Sequence, residues 1–220
     1  MPIHETHEQL MLDELRTRLL VMCATLEEVV ASACAALRKG DMDLAQKVIE
    51  HDNEVDDLEN EIDKMALSLM VRNQPVARDL RFVLSAVRMV IDLERIGDEA
   101  TNIADCILRM RGAPYSPASE RMTRVIHLAQ ETLHDAIAAF RDEDMELALK
   151  VCRGQNAASQ MELCFNGLLE ERGVEARELA QIVLIAHALN TIFRCSFNIA
   201  EHAYFMTTGV SIKHRKAEEL

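Results

Sequence analysis

The chain is poor in residues that break helices or build sheets. Its 220 residues include only 7 glycines, 4 prolines and no tryptophan, and aromatic residues make up 4%. So low a content argues against an all-β architecture and favours long helices. Hydrophobic residues still make up 49% of the sequence, a share typical of globular proteins and too high for a disordered chain. The composition therefore predicts an all-α protein.

Positive charge and long apolar runs are also scarce. The 24 basic side chains stand against 37 acidic ones, for a net charge of -13, which argues against a nucleic-acid partner because such a partner needs a clustered basic face. An acidic balance is compatible with cation binding, although a solvated acidic surface explains most of it. The first twenty residues lack the apolar core of a signal peptide, and no segment approaches 18 uninterrupted apolar residues. We expect neither secretion nor a membrane span.

The cysteines do not form a recognisable motif. No pair has CxxC spacing, and each cysteine lies in a helical pattern among apolar or small residues, which favours reduced core thiols of a cytosolic protein over a disulfide framework or a zinc ribbon. The six are Cys23, Cys34, Cys106, Cys152, Cys164 and Cys195.

Loop signals divide the chain into six long helices. The predicted helices lie near residues 5–38, 42–71, 76–110, 118–140, 143–171 and 175–208. The second has an apolar seam of heptad-like spacing formed by Val48, Val55, Leu58, Ile62, Met65 and Leu69. Helices of this length joined by short turns pack as antiparallel neighbours.

The two halves of the chain resemble each other. "ALRKGDMDLAQKVIEHD" at 36–52 has a counterpart in "AFRDEDMELALKVCRGQ" at 139–155, and "ATNIAD" at 100–105 has one in "SFNIAE" at 196–201. Both matches fall in the same helix order, so internal duplication is the economical explanation. The sequence predicts two tandem three-helix bundles, at 1–112 and 117–210, followed by a polar tail at 211–220.

An acidic stripe runs along the third predicted helix. An apolar seam, formed by Leu80, Leu84, Val87 and Ile91, continues at alternating spacings of three and four into Glu94, Asp98, Thr101 and Asp105. Burial passes to another face, formed by Leu93, Ile96, Ala100, Ile103 and Ile107. Carboxylates at the edge of a buried seam are costly unless they are protonated, paired or bound to metal.

The second helix carries a similar stripe, made of Asp52, Asp56, Glu59 and Asp63. Two such stripes on antiparallel neighbours can converge into a ligand set of hard oxygens for a cation cluster. The alternative is a solvated surface on which Arg81, Arg88 and Arg95 pair with some of the carboxylates.

The second half of the chain helps to separate these two interpretations. Asp52 corresponds to Gln155, Asp56 to Ser159, Glu94 to Asn190 and Asp98 to Arg194, so all four carboxylates are missing together. The joint loss of carboxylates on two helices indicates that they serve one common function, which the second copy has lost. In that copy Arg194 supplies a fixed positive charge in place of a bound cation. We therefore predict a single metal site at Asp52, Asp56, Glu94 and Asp98, with Asp105 as a further candidate.

Two segments also carry a family resemblance. "QPVARDLRFVLSAVRMVIDLERIGDEATNIAD" at 74–105, preceded by "GDMDLAQKVIEHDNEVDDLENEID" at 40–63, closely resembles the PhoU family of phosphate-transport regulators. The resemblance implies a cytoplasmic regulator with no catalytic activity, built of paired three-helix bundles whose E/DxxxD motifs bind multinuclear metal clusters. By position these motifs are Asp52–Asp56 and Glu94–Asp98. The second "ERIGD"-like block of the family is replaced by "NTIFRCSFNIAE", so we expect one cluster at most, of Fe, Zn, Mn or Mg.

The resemblance further implies restraint of phosphate uptake and of the phosphate-starvation response. The implied partners are the ATPase subunit of the phosphate ABC transporter and the sensor histidine kinase of the phosphate regulon, with membrane contact only through them. We also expect a homodimer.

Other classes remain as alternatives. A ferritin-like carboxylate-bridged oxidase would need Glu-x-x-His pairs, which are absent at 50–63 and 90–105. A divergent adaptor of another transporter, or a helical adaptor that binds no metal, would share the fold. Arg78 and Arg81 start the third helix, as structural residues or as a docking surface. His187, aligned with Ile91, is expected to be a half-buried structural residue.

Overall fold

The structure of the protein is a computed structural model, which describes residues 7–111, 120–154, 161, 166–167 and 176–212. Over these ranges the chain forms helices and contains no strand. The helices are α1 (His7–Lys39), α2 (Met42–Glu50), α3 (Asp52–Arg72), α4 (Ala77–Arg109), α5 (Glu120–Arg141), α6 (Met145–Cys152) and α7 (Ala176–Thr208). The prediction of an all-α fold is confirmed.

The second predicted helix is broken at His51, and in this respect the prediction was wrong. His51 keeps helical dihedrals, but its N–H is shared between the carbonyl oxygens of Lys47 and Val48. The Glu54 N–H donates to the His51 carbonyl oxygen at 3.1 Å, three residues back along the chain. The backbone is therefore tightened for one turn, which ends α2 and makes Asp52 the first residue of α3. The apolar seam runs on across the break, with Met65 half-buried and its other members buried.

The start of the short second helix shows the duplication in atomic detail. Asp41 caps α2 with φ -84° and ψ 99°, and Asp144 caps α6 with φ -83° and ψ 100°. Each cap side chain accepts a hydrogen bond from a backbone N–H of the first turn, and each cap N–H donates at 3.0 Å, to the carbonyl oxygen of Ala36 or of Ala139. Identical capping at a constant offset is what a repeated unit would retain.

The first unit consists of α1 to α4, with α2 and α3 as the two parts of its broken middle helix, and the second unit includes α5, α6 and α7. The two units share one hydrophobic core. α4 packs on α1, α2 and α3 and also on α7, the corresponding helix of the second unit. α1, α4 and α7 each have 33 residues, a length of about 50 Å. The prediction of one continuous helix at 143–171 was wrong, because α6 ends at Cys152 with Arg153 as its C-cap and Gly154 is not helical. Residues 112–119, 155–160 and 213–220 are among those outside the described ranges, so the domain bounds stay predictions.

The apolar seam predicted for the start of α4 is not buried. Leu80 is 45% exposed, Leu84 37% and Ile91 59%. α4 carries a second stripe at heptad-like spacing, and that stripe faces the core with Phe82, Met89 and Ile96. Because both stripes are apolar, only the packing of α4 between α1 and α7 decides which one is buried. The predicted takeover of burial by Leu93, Ile96, Ala100, Ile103 and Ile107 is confirmed.

The described cysteines behave as core thiols. Cys23, Cys34, Cys106 and Cys195 are buried, Cys152 is half-buried, and all five are free. Burial raises the pKa of Cys23, Cys34, Cys152 and Cys195 to about 12. Cys164 lies outside the described residues.

Two helices are long and apolar enough to cross a membrane by composition alone. The most apolar 18-residue segment has a mean hydropathy of 1.7 in α1 and 1.4 in α7. About half of each segment is buried inside the bundle, as in the core helices of a soluble protein. Length and composition are therefore only weak evidence that either helix crosses a membrane.

Candidate metal centre

The acidic residues of the first unit lie on α3 and α4, near the point where Gly97 of α4 packs against α3. Gly97 of α4 is buried there, and a Cβ atom at this position would lie 3.3 Å from the Val55 side chain of α3 and 3.2 Å from the Leu26 side chain of α1. Glu94 and Asp98 flank this glycine in sequence. The absence of a side chain at Gly97 thus lets the helix bearing Glu94 and Asp98 approach the helix bearing Asp52 and Asp56 closely.

The carboxylates are close enough to influence one another strongly. Burial, the negative charge of Asp98 and a hydrogen bond with Asp98 raise the pKa of Glu94 to about 7, and Glu59 and Asp56 add to the effect. A carboxylic acid that titrates near neutrality is one whose charged form lacks sufficient compensation. The carboxylates of α3 and α4 thus influence one another, as neighbouring acidic stripes would, and their service as metal ligands stays a prediction.

Glu59 and Asp63 also belong to this group. Burial and the charges of Asp63, Asp56 and Asp98 raise the pKa of Glu59. Asp52 stands at the edge of the group, where the Thr101 hydroxyl donates a hydrogen bond to its Oδ1 at 3.2 Å. The acidic group is therefore defined as Asp52, Asp56, Glu59, Asp63, Glu94 and Asp98.

No arginine neutralises the acidic group among the residues that the structure describes. Arg81, Arg88 and Arg95 form no ion pair with it, and Arg81 instead donates to the Met206 carbonyl oxygen at 3.4 Å. Asp105 differs, because Arg109 pairs with it at 3.2 Å. Asp105 thus has a counter-ion of its own, and its role as a further metal ligand stays a prediction.

The side chains of the acidic group are not yet arranged as a metal would require. Among the described residues, no three Asp, Glu, His or Cys side chains converge on one point. The donor chemistry nevertheless fits hard cations, because only carboxylate oxygens are present and all six residues are exposed or half-buried.

The corresponding place in the second unit has the opposite character. Asn190 and Arg194 occupy the positions of Glu94 and Asp98 and line a cavity beside α7. His187 lines the same cavity and is exposed, so the expectation that it is a half-buried structural residue was wrong. Gln155 and Ser159, the counterparts of Asp52 and Asp56, lie outside the described residues.

Comparison with known proteins identifies the family of the chain and supports its two-unit fold. The model of one family, the PhoU domain, matches the chain twice, over residues 19–107 and 122–203. The chain belongs to the PhoU family. The two matches fall on the two three-helix units, as the internal duplication requires.

Relatives within the PhoU family cover nearly the whole chain. A protein of Pseudomonas putida named phosphate-specific transport system accessory protein PhoU homolog is 31% identical over 92% of this chain and 81% of its own length. The phosphate-specific transport system accessory protein PhoU of Escherichia coli is 27% identical over 95% of this chain and 88% of its own length. These relatives are named as accessory proteins and not as enzymes.

Solved PhoU structures have the same fold. The crystal structure of PhoU from Pseudomonas aeruginosa superposes with a TM-score of 0.84 and 30% identity, covering 91% of this chain and 98% of that one. PhoU from Streptococcus pneumoniae gives a TM-score of 0.83 at 23% identity, with 94% of this chain and all of that chain covered, and this second match supports the fold alone.

One buried polar cluster of this PhoU family member was missed by the sequence reasoning. Asp92 is buried between α4 and α7, where the Asn198 side-chain amide donates to its Oδ1 at 2.8 Å and His202 Nε2 lies 3.7 Å from its Oδ2. Cys195 also hydrogen-bonds to Asp92, which adds to the rise in the pKa of that thiol. The available signal was a polar residue within the second apolar stripe of α4, which contains Phe82, Ser85, Met89, Asp92 and Ile96.

The start of α4 joins the two units at one end. Arg78 and Arg16 bind the two oxygens of Glu143 at 2.7 and 2.8 Å, so that the turn between α5 and α6 is tied to α1 and α4. Glu143 has a positive φ of 53°, and its counterpart in the first repeat is Gly40, with φ 64°. These contacts support a structural role for Arg78 and Arg81. The docking role stays a prediction.

Proposed function

We propose that this chain is a metal-binding accessory protein in the cytoplasm that restrains phosphate uptake and the phosphate-starvation response. The observation that carries the proposal is the uncompensated acidic group between α3 and α4, in a chain whose relatives are named accessory proteins of the phosphate-specific transport system. The acidic group suggests a bound cation, and the names of the relatives suggest a role in phosphate transport.

The metal part of the proposal depends on electrostatics. A multivalent cation held by Asp52, Asp56, Glu94 and Asp98 would offset the repulsion that raises the pKa of Glu94. All these ligands are carboxylates, which suits Fe, Mn or Mg and is also compatible with Zn. Carboxylates can bridge neighbouring ions, and for this reason we propose a multinuclear cluster at this one site.

Metal content is the direct test. Protein purified without chelator should contain metal in stoichiometric amounts, and Asp52→Ala combined with Glu94→Ala should lower the content at least tenfold, because two ligands on different helices are lost. Elemental analysis by mass spectrometry measures both. Asp57→Asn is the matched control, since Asp57 is exposed and lies next to Asp56 but outside the acidic group. An unchanged metal content in the double variant would place the metal outside the acidic group, and absence of metal from the unaltered protein would leave a helical adaptor that binds none.

The regulatory part of the proposal requires contact with other proteins. We propose the ATPase subunit of the phosphate ABC transporter and the sensor histidine kinase of the phosphate regulon as partners, and a homodimer as the assembled form. The ATPase subunit is the partner we assign to the apolar stripe of α4, defined as Leu80, Leu84 and Ile91. These residues are exposed on the helix that also carries Glu94 and Asp98 of the acidic group, so that metal binding and partner contact would share one element.

A deletion strain tests the regulatory role. Loss of the gene should give constitutive expression of phosphate-starvation genes in phosphate-rich medium, measured with a transcriptional reporter. The intact chain should restore repression, and the Leu80→Asp and Leu84→Asp double variant should not, because two charges would be desolvated in the proposed contact. Leu184→Asp is the control, as Leu184 is 48% exposed on α7, outside the stripe. Normal repression in the deletion strain would contradict the assigned role.

A further inference from the structure

A cavity of about 660 Å³ lies beside α7, at the position that the acidic group occupies in the first repeat. Arg95 and Glu99 of α4 line it together with His187, Asn190, Arg194 and Asn198 of α7. The first repeat contributes one wall and the second repeat contributes the other. The cavity therefore exists only when both repeats are packed together.

The charge of this cavity is the reverse of that of the acidic group. Where the first repeat has Glu94 and Asp98, the second has the neutral Asn190 and the cationic Arg194. Arg95 adds a second guanidinium from the neighbouring helix. Among the described lining residues Glu99 is the one carboxylate, and two arginines oppose it.

Some polar side chains that line the cavity have hydrogen-bond partners in the described structure, and others have none. Within the described part of the chain, neither Arg95 nor Arg194 forms an ion pair or a side-chain hydrogen bond. Glu99 accepts from the Asn102 amide at 3.2 Å, and the Asn198 amide is taken by Asp92. The two guanidinium groups thus remain available at the cavity, each with several N–H donors.

We propose that this cavity binds a small tetrahedral oxyanion, with inorganic phosphate as the ligand of interest. Each of the two guanidinium groups that line the cavity carries forked N–H donors and a positive charge, which suit the oxygens of a phosphate, and the neutral Asn190 can donate a further hydrogen bond. The proposal that an oxyanion binds here is argued from the charges of the cavity. The further idea that bound phosphate acts as a signal to the regulator rests on the proposed function.

Direct titration of the full chain with inorganic phosphate tests the site. Isothermal titration calorimetry on chelator-treated protein, at ionic strength held constant with chloride, keeps the proposed metal centre from binding phosphate. We expect saturable binding that Arg194→Gln or Arg95→Gln weakens about tenfold or more, the equivalent of one charge-assisted hydrogen bond. Arg88→Gln is the matched control, because Arg88 is exposed on α4 one heptad from Arg95 and outside the lining.

Glu99→Gln gives a readout in the opposite direction. Removing the one described lining carboxylate should tighten phosphate binding several-fold, a gain that a merely structural role for Glu99 would not produce. Absence of saturable binding by the unaltered chain would overturn the proposal, and so would equal weakening by Arg88→Gln and Arg194→Gln.

The acidic-group variant Glu94→Gln with Asp98→Asn separates the two sites. It should bind phosphate as the unaltered chain does, since neither residue lines the cavity. Loss of phosphate binding in this variant would contradict a separate anion site. The outcome is independent of the metal analysis and of the deletion strain, so the anion site and the regulatory function can fail separately.

Discussion

Glu94 shows how one side chain reports on the whole acidic group. Its pKa of about 7 lies above the value of 4.5 for an unperturbed glutamic acid. The folded protein therefore holds a proton on Glu94 at pH values where the unfolded chain has released it. Burial makes ionisation costly, and the nearby charge of Asp98 increases that cost. A bound cation would remove the need for this proton.

The stability of the metal-free protein should depend on pH through Glu94. Because the folded state binds more protons, the free energy of unfolding is highest below pH 4.5, as far as this group is concerned. It falls as the pH rises from about 4.5 to about 7. The loss should be roughly 1 kcal/mol, reduced from the full linkage value because solvent screens a partly exposed group.

Urea unfolding at a series of pH values in the presence of chelator measures this slope. Glu94→Gln should flatten it between pH 4.5 and 7, and Asp57→Asn should leave it unchanged. Adding the bound metal should also flatten it, since the cation takes the place of the proton. A Glu94→Gln variant with the slope of the unaltered protein would contradict the assignment.

At the scale of the helix, Gly97 sets the spacing of α3 and α4. A helix-interior glycine normally costs up to about 1 kcal/mol relative to alanine, so its presence here calls for a packing reason. The contacts of 3.2 and 3.3 Å that a Cβ atom would make with Leu26 and Val55 supply one. The second repeat has Phe193 at the corresponding position and lacks the carboxylates at Asn190 and Arg194.

Enlarging Gly97 should separate the two helices and weaken metal binding. Gly97→Val should lower the free energy of unfolding by roughly 1–3 kcal/mol through overpacking and should reduce metal affinity at least tenfold. Chemical unfolding and metal titration measure the two effects. Gly97→Ala is the graded control, because its smaller contact is partly offset by better helix propensity. Unchanged metal affinity in a folded Gly97→Val protein would show that helix spacing does not govern the site.

The sequence predicted most helices within two residues because their apolar periodicity is long and regular. It missed the break at His51, since neither glycine nor proline marks that turn and the apolar seam continues through it. It also assigned the wrong buried face to the first half of α4, because Leu80, Leu84 and Ile91 repeat as regularly as the residues that face the core. The acidic group was predictable, since its residues are local and periodic on two neighbouring helices. Asp92 was not, because its partners come from α7, more than a hundred residues away.

For the whole molecule, the contact of α4 with α7 joins the two repeats into one core. This contact contains a buried carboxylate, and Asn198 and His202 of the second repeat face it. On the other side of the same helix the carboxylates of the acidic group face solvent without a counter-ion. Of the α4 carboxylates Asp92, Glu94 and Asp98, only Asp92 is faced by an amide and an imidazole among the described residues.

Two aspartates six residues apart on α4 should therefore respond in opposite directions to the same substitution. Asp92→Ala should lower the free energy of unfolding by about 2–3 kcal/mol, because Asn198 loses a charge-assisted hydrogen bond and buried polar groups lose their partner. Asp98→Ala should raise the free energy of unfolding of metal-free protein by a few tenths of a kcal/mol, since it relieves repulsion with Glu94. Urea unfolding with chelator present measures both. If the two variants lost equal stability, Asp98 would be as well compensated as Asp92 in the absence of metal, and the electrostatic case for a cation at the acidic group would fail.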